Sequence, residues 1–527
     1  MRWHKGNGTA LVWLALSGVS WAQAAPHAED RVSFVEALRT TLSAHPNVQF
    51  QEQQVAINLG RRRQASGRFD TTLTSSFAHT RRNDPLTPYD REQAATVGIT
   101  AFNLDSNLTL FDAGATKLYR NGISIGPQLT MNRASDNVQN LLGANTASMA
   151  FVVTIPLWRG RGRRVVAAEE RAAATEVDAA TYDLNQTISN LLANTAAAYW
   201  TALAGSKNLE VAQGAEQRGR VYVDNVRTLI DAGRVPPAEI NQVKANLAGR
   251  IAERIAAEQR LVEARQQLAL AMGLRPGQMA AIGIPSDEFP VVPAGLLPTV
   301  DLELVQQYFE IAVRRRADLL ASRQREVAAR TRLVAATNAT RPGIDINLSP
   351  GYSGLSEGAG GLFFQSPFHA IRGVDGVAGI TYRFAPSNNL AVGQMIEAKA
   401  TAKQTELRSA ELERNIMAAV ASALQAVHNS AQQVVQAHDA VVAFEAALDG
   451  EREKFRLGTG SVIDVLTMED RLTIALRNDV SANLAYAQDL AQLRAATGTI
   501  VQPSRAVQSV EPDLFYSPPH IPGSSNP

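Results

Sequence analysis

The sequence predicts an α+β chain built from two copies of one structural unit, in which very long antiparallel helices carry a group of β-strands. Three observations support this prediction. The segment around Gly233 recurs around Gly458, 225 residues later, and the register holds without a gap to Gly273 and Gly498. Each half contains a proline-free helical stretch, and each contains segments that alternate apolar and polar residues. A register kept over 40 residues indicates an internal duplication.

The N-terminus has the pattern of a secretory signal peptide. Arg2 and Lys5 precede an apolar run over residues 10–19, and Ala22-Gln23-Ala24 provides a small-residue cleavage site. We therefore expect residues 1–24 to be removed. No later segment reaches the length of apolar sequence that a transmembrane helix needs. The mature chain is predicted to be exported and not to be held in a membrane by helices.

The first unit is predicted to span residues 25–285. Proline is tolerated in the first turn of a helix, so Pro236-Pro237 open the returning helix of this unit, and Gly273 closes it. The predicted bounds are 33–64 for the first helix, 69–158 for the strands, 166–230 for the long helix and 236–273 for the returning helix.

A proline-rich linker over residues 286–300 separates the two units. The second unit, 301–500, repeats the order of the first. Its predicted bounds are 302–337 for the first helix, 343–384 for the strands, 390–455 for the long helix and 463–496 for the returning helix. Residues 501–527 are rich in proline and serine, and they are predicted to be disordered.

The two long helices are predicted to be rods of roughly 100 Å at 1.5 Å per residue. The second rod carries a seven-residue apolar spacing that is typical of a coiled-coil seam. The seam consists of Val420, Val427, Val434, Val441 and Leu448. Many neighbouring positions are alanine, which lets partner helices approach closely. An isolated two-stranded coiled coil is the alternative, but coiled coils do not usually carry β-insertions.

The β-rich segments alternate between apolar and polar residues. Residues 344–349 and 380–384 follow this pattern without error, and residues 123–131 follow it in the first half. Strands of about ten residues with an apolar outer face and a polar inner face are required in a transmembrane barrel. A half-buried soluble sheet has the same alternation. The alternation alone leaves both interpretations open.

Composition and motifs argue against an enzyme, a metalloprotein or a nucleic-acid-binding protein. The 51 Lys and Arg residues nearly balance the 50 Asp and Glu residues, so there is no basic excess. The absence of cysteine excludes disulfides and thiolate metal sites. The histidines do not pair at metal-ligand spacing, and no phosphate-binding or serine-hydrolase motif occurs. We therefore predict no catalytic residues, no cofactor and no metal.

Two groups of residues are candidates for function. Glu239 and Asp464 occupy equivalent positions at the start of the returning helices. Ser461 and Asp464 have capping-box spacing, and the helix dipole favours an acid in the first turn, so both acids are explained as helix caps. A ring of carboxylates at a pore mouth is the alternative. Trp158, with Arg159 and Arg161 after it, lies at a strand-to-helix joint, either on an exposed glycine-rich bend or beside anionic lipid headgroups.

The turn over residues 455–466, its counterpart around Gly233 and the joint over residues 155–162 resemble the TolC-type outer-membrane efflux protein family. The resemblance covers nearly the whole mature chain, from about Val32 to Ile500. It implies a homotrimer in the outer membrane of a Gram-negative bacterium. The helices would form a periplasmic α-barrel, and four strands per protomer would contribute to a twelve-stranded β-barrel. The implied function is a passive exit duct of a tripartite efflux or type I secretion system, joined to a periplasmic adaptor protein and an inner-membrane pump of the RND, ABC or MFS type.

The resemblance also implies roles for residues at the two turns. It places Glu239 and Asp464 at a periplasmic aperture. Residues implied in adaptor docking are Gly233, Arg234, Gly458, Thr459, Gly460 and Ser461. The chain departs from some members at Thr467, where a second pore acid can occur, and at Gly460, where a basic gating partner can occur.

One further expectation concerns the strands, and two alternatives to the channel remain. Two strands need fewer residues than the 69–158 stretch offers, so residues 82–147 are expected to form an extracellular excursion. A periplasmic adaptor of the same machinery is the runner-up, although an adaptor normally has one helical hairpin and this chain has two. An exported enzyme with coiled-coil decoration is a third class, and the sequence offers it no convergent catalytic set.

Overall fold

The structure, a computed structural model, describes residues 31–138, 140–293, 300–357, 363–364, 371–502 and 511–520. The predicted signal peptide lies outside the described residues. The first half contains α1 (Phe34–Ala44), α2 (Pro46–Gly67), β2 (Thr71–Pro85), α3 (Pro88–Thr96), β3 (Asn103–Leu118), β4 (Ser124–Asp136), β5 (Ala144–Pro156), α4 (Arg163–Val166), α5 (Ala168–Asp231), α6 (Glu239–Ala271) and α7 (Pro276–Met279). A short pair of parallel strands, β1 (Arg31–Val32) and β6 (Ile284–Pro285), joins its two ends.

The second half repeats the order of the first with fewer strands. It contains α8 (Leu302–Arg315), α9 (Ala317–Ala339), β7 (Gly343–Glu357), β8 (Ile371–Arg383), α10 (Asn389–Leu457) and α11 (Val462–Thr497). The long helices α5 and α10 have 64 and 69 residues, so each is about 100 Å long. Each packs along the helix that returns from its turn, and α5 also packs against α11. Among the described residues, no helix combines the length and apolar character needed to cross a membrane.

Each single helix predicted at the start of a unit is in fact two helices. The break falls at His45 in the first half and at Arg316 in the second, and both residues have extended backbone. His45 precedes Pro46, and the proline ring disfavours helical backbone in the residue before it. The two breaks lie against the glycines that end the returning helices. A Cβ at Gly273 would lie 2.5 Å from His45 Cα, and one at Gly498 would lie 2.9 Å from Arg316 Cα, so only glycine fits at either contact.

Six strands form one antiparallel sheet in the order β2-β3-β4-β5-β7-β8. The expectation of four strands per protomer is therefore wrong for this chain. The excursion expected over residues 82–147 is also wrong for most of its length, because β3 and β4 pair within the sheet. The physical reason is alternation: Phe111 and Ala113 on β3 share a face with Leu129 and Met131 on β4, as wall strands do.

The coiled-coil seam on α10 is buried along its length. Val420 and Val427 are buried in one core, against which Val434 is partly buried, and Val441 and Leu448 are buried in a second core. Alanines on α5 and α10 fill the space between neighbouring helices. Because alanine side chains are short, the helices of the two halves can pack side by side into one four-helix layer.

A central core lies midway along the rod and joins the two ends of the chain. Phe34 of α1 stacks on Trp200 of α5 with ring centroids 4.8 Å apart, and Phe515 meets Phe34 edge-on at 5.4 Å. Tyr199 donates to the Asp287 carboxylate, which also accepts from the Phe34 N–H at 2.7 Å. Asp287 thus accepts from the first N–H of α1, whose N-cap is Ser33, and fixes the described part of the linker against α5.

The prediction of a disordered tail over 501–527 is wrong for residues 511–520. Residues Pro512–Tyr516 form a 3₁₀ helix, and Phe515 is fully buried. Buried Arg494 donates to the carbonyl oxygens of Ser517 and Pro518 at 2.8 and 3.1 Å. Burial lowers the pKa of Arg494 to about 10. The proline and serine content suggested disorder, but Phe515 supplies the apolar anchor that holds the segment.

Candidate functional site at the two hairpin tips

The two helical hairpins end in turns with the same backbone hydrogen bonds. Gly233 and Gly458 have φ values of +69° and +80°, in the left-handed region that glycine adopts without strain. The N–H of Arg234 donates to the Leu229 carbonyl at 2.9 Å, and the N–H of Thr459 donates to the Lys454 carbonyl at 3.0 Å. Both bonds close the last turn of the outgoing helix in the same way.

The second tip has a side-chain cap. The Asp464 N–H donates to the Ser461 Oγ at 3.1 Å, while the Asp464 carboxylate accepts from the Ser461 hydroxyl at 2.7 Å and from the Ser461 N–H at 3.2 Å. These bonds form the capping box that the spacing predicts. The Ser461 hydroxyl and N–H lower the pKa of Asp464, whose side chain is exposed. The carboxylate is therefore engaged with its own helix.

The first tip lacks such a cap. The N-cap of α6 is Ala238, which has no side-chain oxygen, and Pro236-Pro237 precede it. The Glu239 side chain is half-buried and forms no hydrogen bond or ion pair with the described residues. Glu239 and Asp464, which occupy equivalent positions in the sequence, therefore differ in what their carboxylates do.

A small apolar core holds the two tips side by side. It consists of Val223, Val226, Val243, Val462 and Leu466. Tyr222 of α5 packs on Phe455 of α10 with ring centroids 5.9 Å apart, and its hydroxyl donates to the Val462 carbonyl at 3.3 Å. Burial raises the pKa of Tyr222, and the nearby carboxylates of Glu239, Glu469 and Asp464 raise it further. The phenol therefore stays neutral and can keep donating to Val462.

Above this apolar core, one buried carboxylate joins the four helices of the two hairpins, α5, α6, α10 and α11. Glu469 of α11 accepts from Arg218 of α5 at 2.9 Å and from Arg250 of α6 at 3.4 Å, and it pairs with Arg452 of α10. Glu469 and Arg250 are 5% and 6% exposed. Burial opposes ionisation of Glu469, but Arg218, Arg452 and Arg250 outweigh it and hold its pKa below the ordinary value. We call this group the Glu469 cluster.

The Glu469 cluster was not identified from the sequence. An acid on a long helix is usually solvated, and each of the three arginines lies on a different helix from Glu469, with Arg218 and Arg250 more than 200 residues away along the chain. One signal was available: the residue equivalent to Glu469 in the first half is Lys244, so the duplicated units carry opposite charges at this position. Among the described residues, no group of three or more His, Cys, Asp and Glu side chains is placed to hold a metal ion.

Comparison with known proteins shows a similarity to outer membrane efflux proteins. A profile described as "Outer membrane efflux protein" matches residues 124–274. The chain is 22% identical over 372 residues to "Outer membrane protein TolC" of Escherichia coli (strain K12), a match that covers 68% of this chain and 71% of that protein. Both comparisons thus show a similarity of this chain to outer membrane efflux proteins.

Solved outer-membrane channels share the fold of this chain at low sequence identity. The outer-membrane channel OprN superposes with a TM-score of 0.63 at 15% identity, covering 92% of this chain and 96% of OprN. The CmeC outer membrane channel of Campylobacter jejuni superposes with a TM-score of 0.63 at 12% identity, covering 95% of each chain. VceC of Vibrio cholerae superposes with a TM-score of 0.61 at 17% identity, covering 88% of this chain and 96% of VceC.

These similarities indicate the location and general function of the chain. The protein is an outer-membrane efflux channel that extends into the periplasm. The alternative of a periplasmic adaptor is not supported by these comparisons. An exported enzyme is not supported either, because the matched family model describes an efflux protein.

The strand-to-helix joint lies where the sheet of this efflux protein meets its helices. Trp158 follows β5 and is 47% exposed, and Arg161 is exposed, while Arg159 is half-buried against Gly343 at the start of β7. The N–H of Gly160 donates to the Asn338 side chain of α9 at 2.8 Å. The joint is thus fixed to the helix layer, with one aromatic and one basic side chain facing outwards.

Proposed function

We propose that three copies of this chain form the passive exit duct of a tripartite efflux or type I secretion system. The observation that carries this proposal is the arrangement of one rod about 100 Å long, with two hairpin tips side by side at one end and a sheet with one apolar face at the other. A sheet with unpaired edges does not occur in lipid, because unpaired backbone groups are costly there. Joining several copies edge to edge removes those unpaired groups.

We further propose that the two tips dock a periplasmic adaptor protein, which links the duct to an inner-membrane pump of the RND, ABC or MFS type. The docking residues are Gly233, Arg234, Gly458, Thr459, Gly460 and Ser461. All of them except Gly460 are exposed. A Cβ at Gly458 would lie 3.9 Å from the Arg234 guanidinium, so the two turns form one continuous surface.

At the same end, Glu239 and Asp464 are proposed to line the periplasmic aperture. Three copies would bring six carboxylates around one axis. Their fields would attract cations at low ionic strength, where screening is weak. At the other end, Trp158, Arg159 and Arg161 are proposed to lie at the periplasmic surface of the outer membrane, where aromatic rings and basic side chains suit the lipid headgroups.

The location and assembly are tested by fractionating membranes and weighing the detergent-solubilised protein by native mass spectrometry. We expect outer-membrane trimers. Recovery as a soluble monomer, or in the inner membrane, would contradict the proposed function.

Docking is tested with Gly458→Val, which places a β-branched residue at a left-handed position and costs about 1–2 kcal/mol locally. Trimers should persist, while in-cell cross-linking to the cognate adaptor should fall. Gly249→Val is the matched control, because Gly249 is exposed on α6 and a Cβ there would meet nothing within 4 Å. Equal cross-linking in both variants would remove Gly458 from the docking surface.

A further inference from the structure

The six-stranded sheet has one continuous apolar face. Residues that lie directly opposite each other across β3, β4, β5, β7 and β8 form an uninterrupted apolar row: Ala113, Leu129, Met149, Tyr352 and Val374. On the edge strand β2, the side chains of Leu73 and Phe77 on the same face are 79% and 64% exposed. The row is uninterrupted from β3 to β8 and includes the two strands expected to lie outside the wall, while Ser75 stands at its level on β2.

The opposite face of the same sheet is polar. The next row along the strands consists of Ser76, Asp112, Thr130, Ser148, Ser353 and Gly373. Within this row, the Thr130 hydroxyl donates to the Asp112 carboxylate at 2.8 Å, which links β3 to β4. An apolar outer face and a polar inner face are the pattern of a transmembrane barrel wall. By this criterion β3 and β4 belong to the wall as much as β7 does.

The two edges of the sheet are matched for pairing with further copies. β2 has 15 residues and β8 has 13, and neither has a partner on its outer side within the described residues. Because each copy holds six antiparallel strands, its first and last strands run in opposite directions. The β8 of one copy can therefore pair antiparallel with β2 of the next. One copy cannot close alone, since the smallest such barrels need about eight strands.

We propose that three copies close a barrel of eighteen strands, with β3 and β4 in its wall, instead of the twelve strands implied by the family resemblance. Three copies of a six-stranded sheet give this number. The proposal rests on the trimer proposed above and adds the position of the β3–β4 hairpin. Because barrel diameter grows roughly linearly with strand number, the lumen would be about 1.5 times as wide as in a twelve-stranded barrel.

The helices beneath the sheet have a width that fits six strands. Helices α2, α5, α9 and α10 pack side by side and each connects to the sheet. Four helices at 8–10 Å spacing cover roughly 35 Å. Six strands about 4.8 Å apart and tilted by about 40° cover roughly 37 Å, whereas four strands cover roughly 25 Å. The extra hairpin therefore gives each copy a wall as wide as its helix layer.

Single-cysteine labelling tests where the hairpin lies, and the natural absence of cysteine removes any background. Pairs of adjacent residues on opposite faces are changed to cysteine and labelled with a polarity-sensitive bimane in proteoliposomes. The pairs are Ala113→Cys and Asp112→Cys on β3, and Leu129→Cys and Gln128→Cys on β4. Leu348→Cys and Asn347→Cys on β7 are the matched reference pair, because β7 is a wall strand in either arrangement.

We expect doxyl-labelled lipid to quench the bimane fluorescence of the variants at positions 113, 129 and 348. The variants at the other three positions should show little quenching. If only the β7 pair alternates and both hairpin pairs are water-exposed, the eighteen-stranded wall is wrong while the channel remains. If the β7 pair also fails to alternate, the proposed membrane channel itself fails.

Electron cryomicroscopy of the full-length protein in nanodiscs gives the strand count directly. Eighteen strands around three copies would support the proposal. Twelve strands, whether from three copies with the hairpin outside the wall or from two copies of six strands, would overturn it.

Discussion

The two hairpin tips share one backbone and differ in their side chains. Both turns use a left-handed glycine and the same closing hydrogen bond, as equivalent positions 225 residues apart should. The second tip adds a capping box between Ser461 and Asp464, whereas Ala238 leaves the first tip without one. The backbone geometry of the turn, which requires only a glycine, is therefore the same in both units. Stabilisation of the returning helix by a side-chain cap is found only in the second unit.

This difference suggests that the acids of the two tips have different roles. Asp464 is held by its own helix, and Glu239 is free of such bonds, so Glu239 is the acid whose charge is available to the aperture. The Glu469 cluster and the apolar core around Tyr222 then couple the two hairpins. Four changes test how far the tips differ and how strongly they are coupled.

The largest effect is expected for Glu469→Gln. This change removes the carboxylate that faces three arginines, and breaking a buried ion pair from one side costs about 3 kcal/mol. Because the cluster joins all four helices of the two hairpins, amide hydrogen exchange should accelerate at both tips, and the thermal unfolding temperature should fall.

Glu253→Gln is the matched control for this change. Glu253 of α6 pairs with Arg477 of α11 at 2.7 Å, so it also joins the hairpins, but the pair is exposed and should contribute less than about 1 kcal/mol. If both variants behave alike, the buried cluster does not couple the tips. If only the second tip loosens in Glu469→Gln, the hairpins are independent.

A smaller effect, confined to one tip, is expected for Ser461→Ala. Loss of an N-cap serine costs about 1 kcal/mol. Hydrogen exchange measured by mass spectrometry should accelerate over residues 459–466 and stay unchanged over residues 233–241. Ser481→Ala, which removes an exposed hydroxyl bonded within α11, should change neither segment. Faster exchange at both tips would show that the first tip depends on the cap of the second.

The next test separates the two acids by ion selectivity. Glu239→Gln should reduce the cation preference of single channels in planar bilayers at about 0.01 M salt and have little effect at about 1 M, where charges are screened within about 3 Å. Hydrogen exchange at the tip should not change. Asp464→Asn should alter exchange at the second tip as well as selectivity. An unchanged preference in Glu239→Gln would remove this residue from the aperture.

The smallest effect is a pH dependence. Because Ser461 lowers the pKa of Asp464 in the folded tip, the stability that this bond adds is present above the ordinary aspartate pKa of about 3.9 and is lost as pH falls through the lowered value. In the Glu239→Gln background, the remaining cation preference should therefore persist below about pH 4, the ordinary aspartate range. Loss of half of that preference at about pH 4 or above would mean that Asp464 is not held by its cap.

Local features of the tips and helices could be predicted because they depend on neighbours in sequence. The serine and aspartate three residues apart predicted the capping box, and the glycines predicted the turns. The predicted bounds of α5, α6, α10 and α11 differ from the structure by a few residues at most. The break at His45 was also available from Pro46, but the strong helical pattern around it concealed the break.

Features that depend on distant residues could not be predicted. The Glu469 cluster forms only where four helices pack together, and no local sequence pattern indicates which helices do so. The number of strands was set by the family resemblance, although the alternation in residues 123–131 already favoured a strand inside the expected excursion. The order of residues 511–520 arises because Phe515 finds a site built by Phe34 and Trp200, which the composition of the tail does not show.

That meeting of Phe34 with Phe515 has a consequence for biogenesis. The pocket for Phe515 contains residues from near the start of the described chain, yet it is filled only by a residue synthesised almost 500 positions later. Contacts of such long sequence separation form late, because the intervening chain must first be ordered. The central core can therefore close only after residue 515 has been exported. A chain still being exported lacks this final anchor.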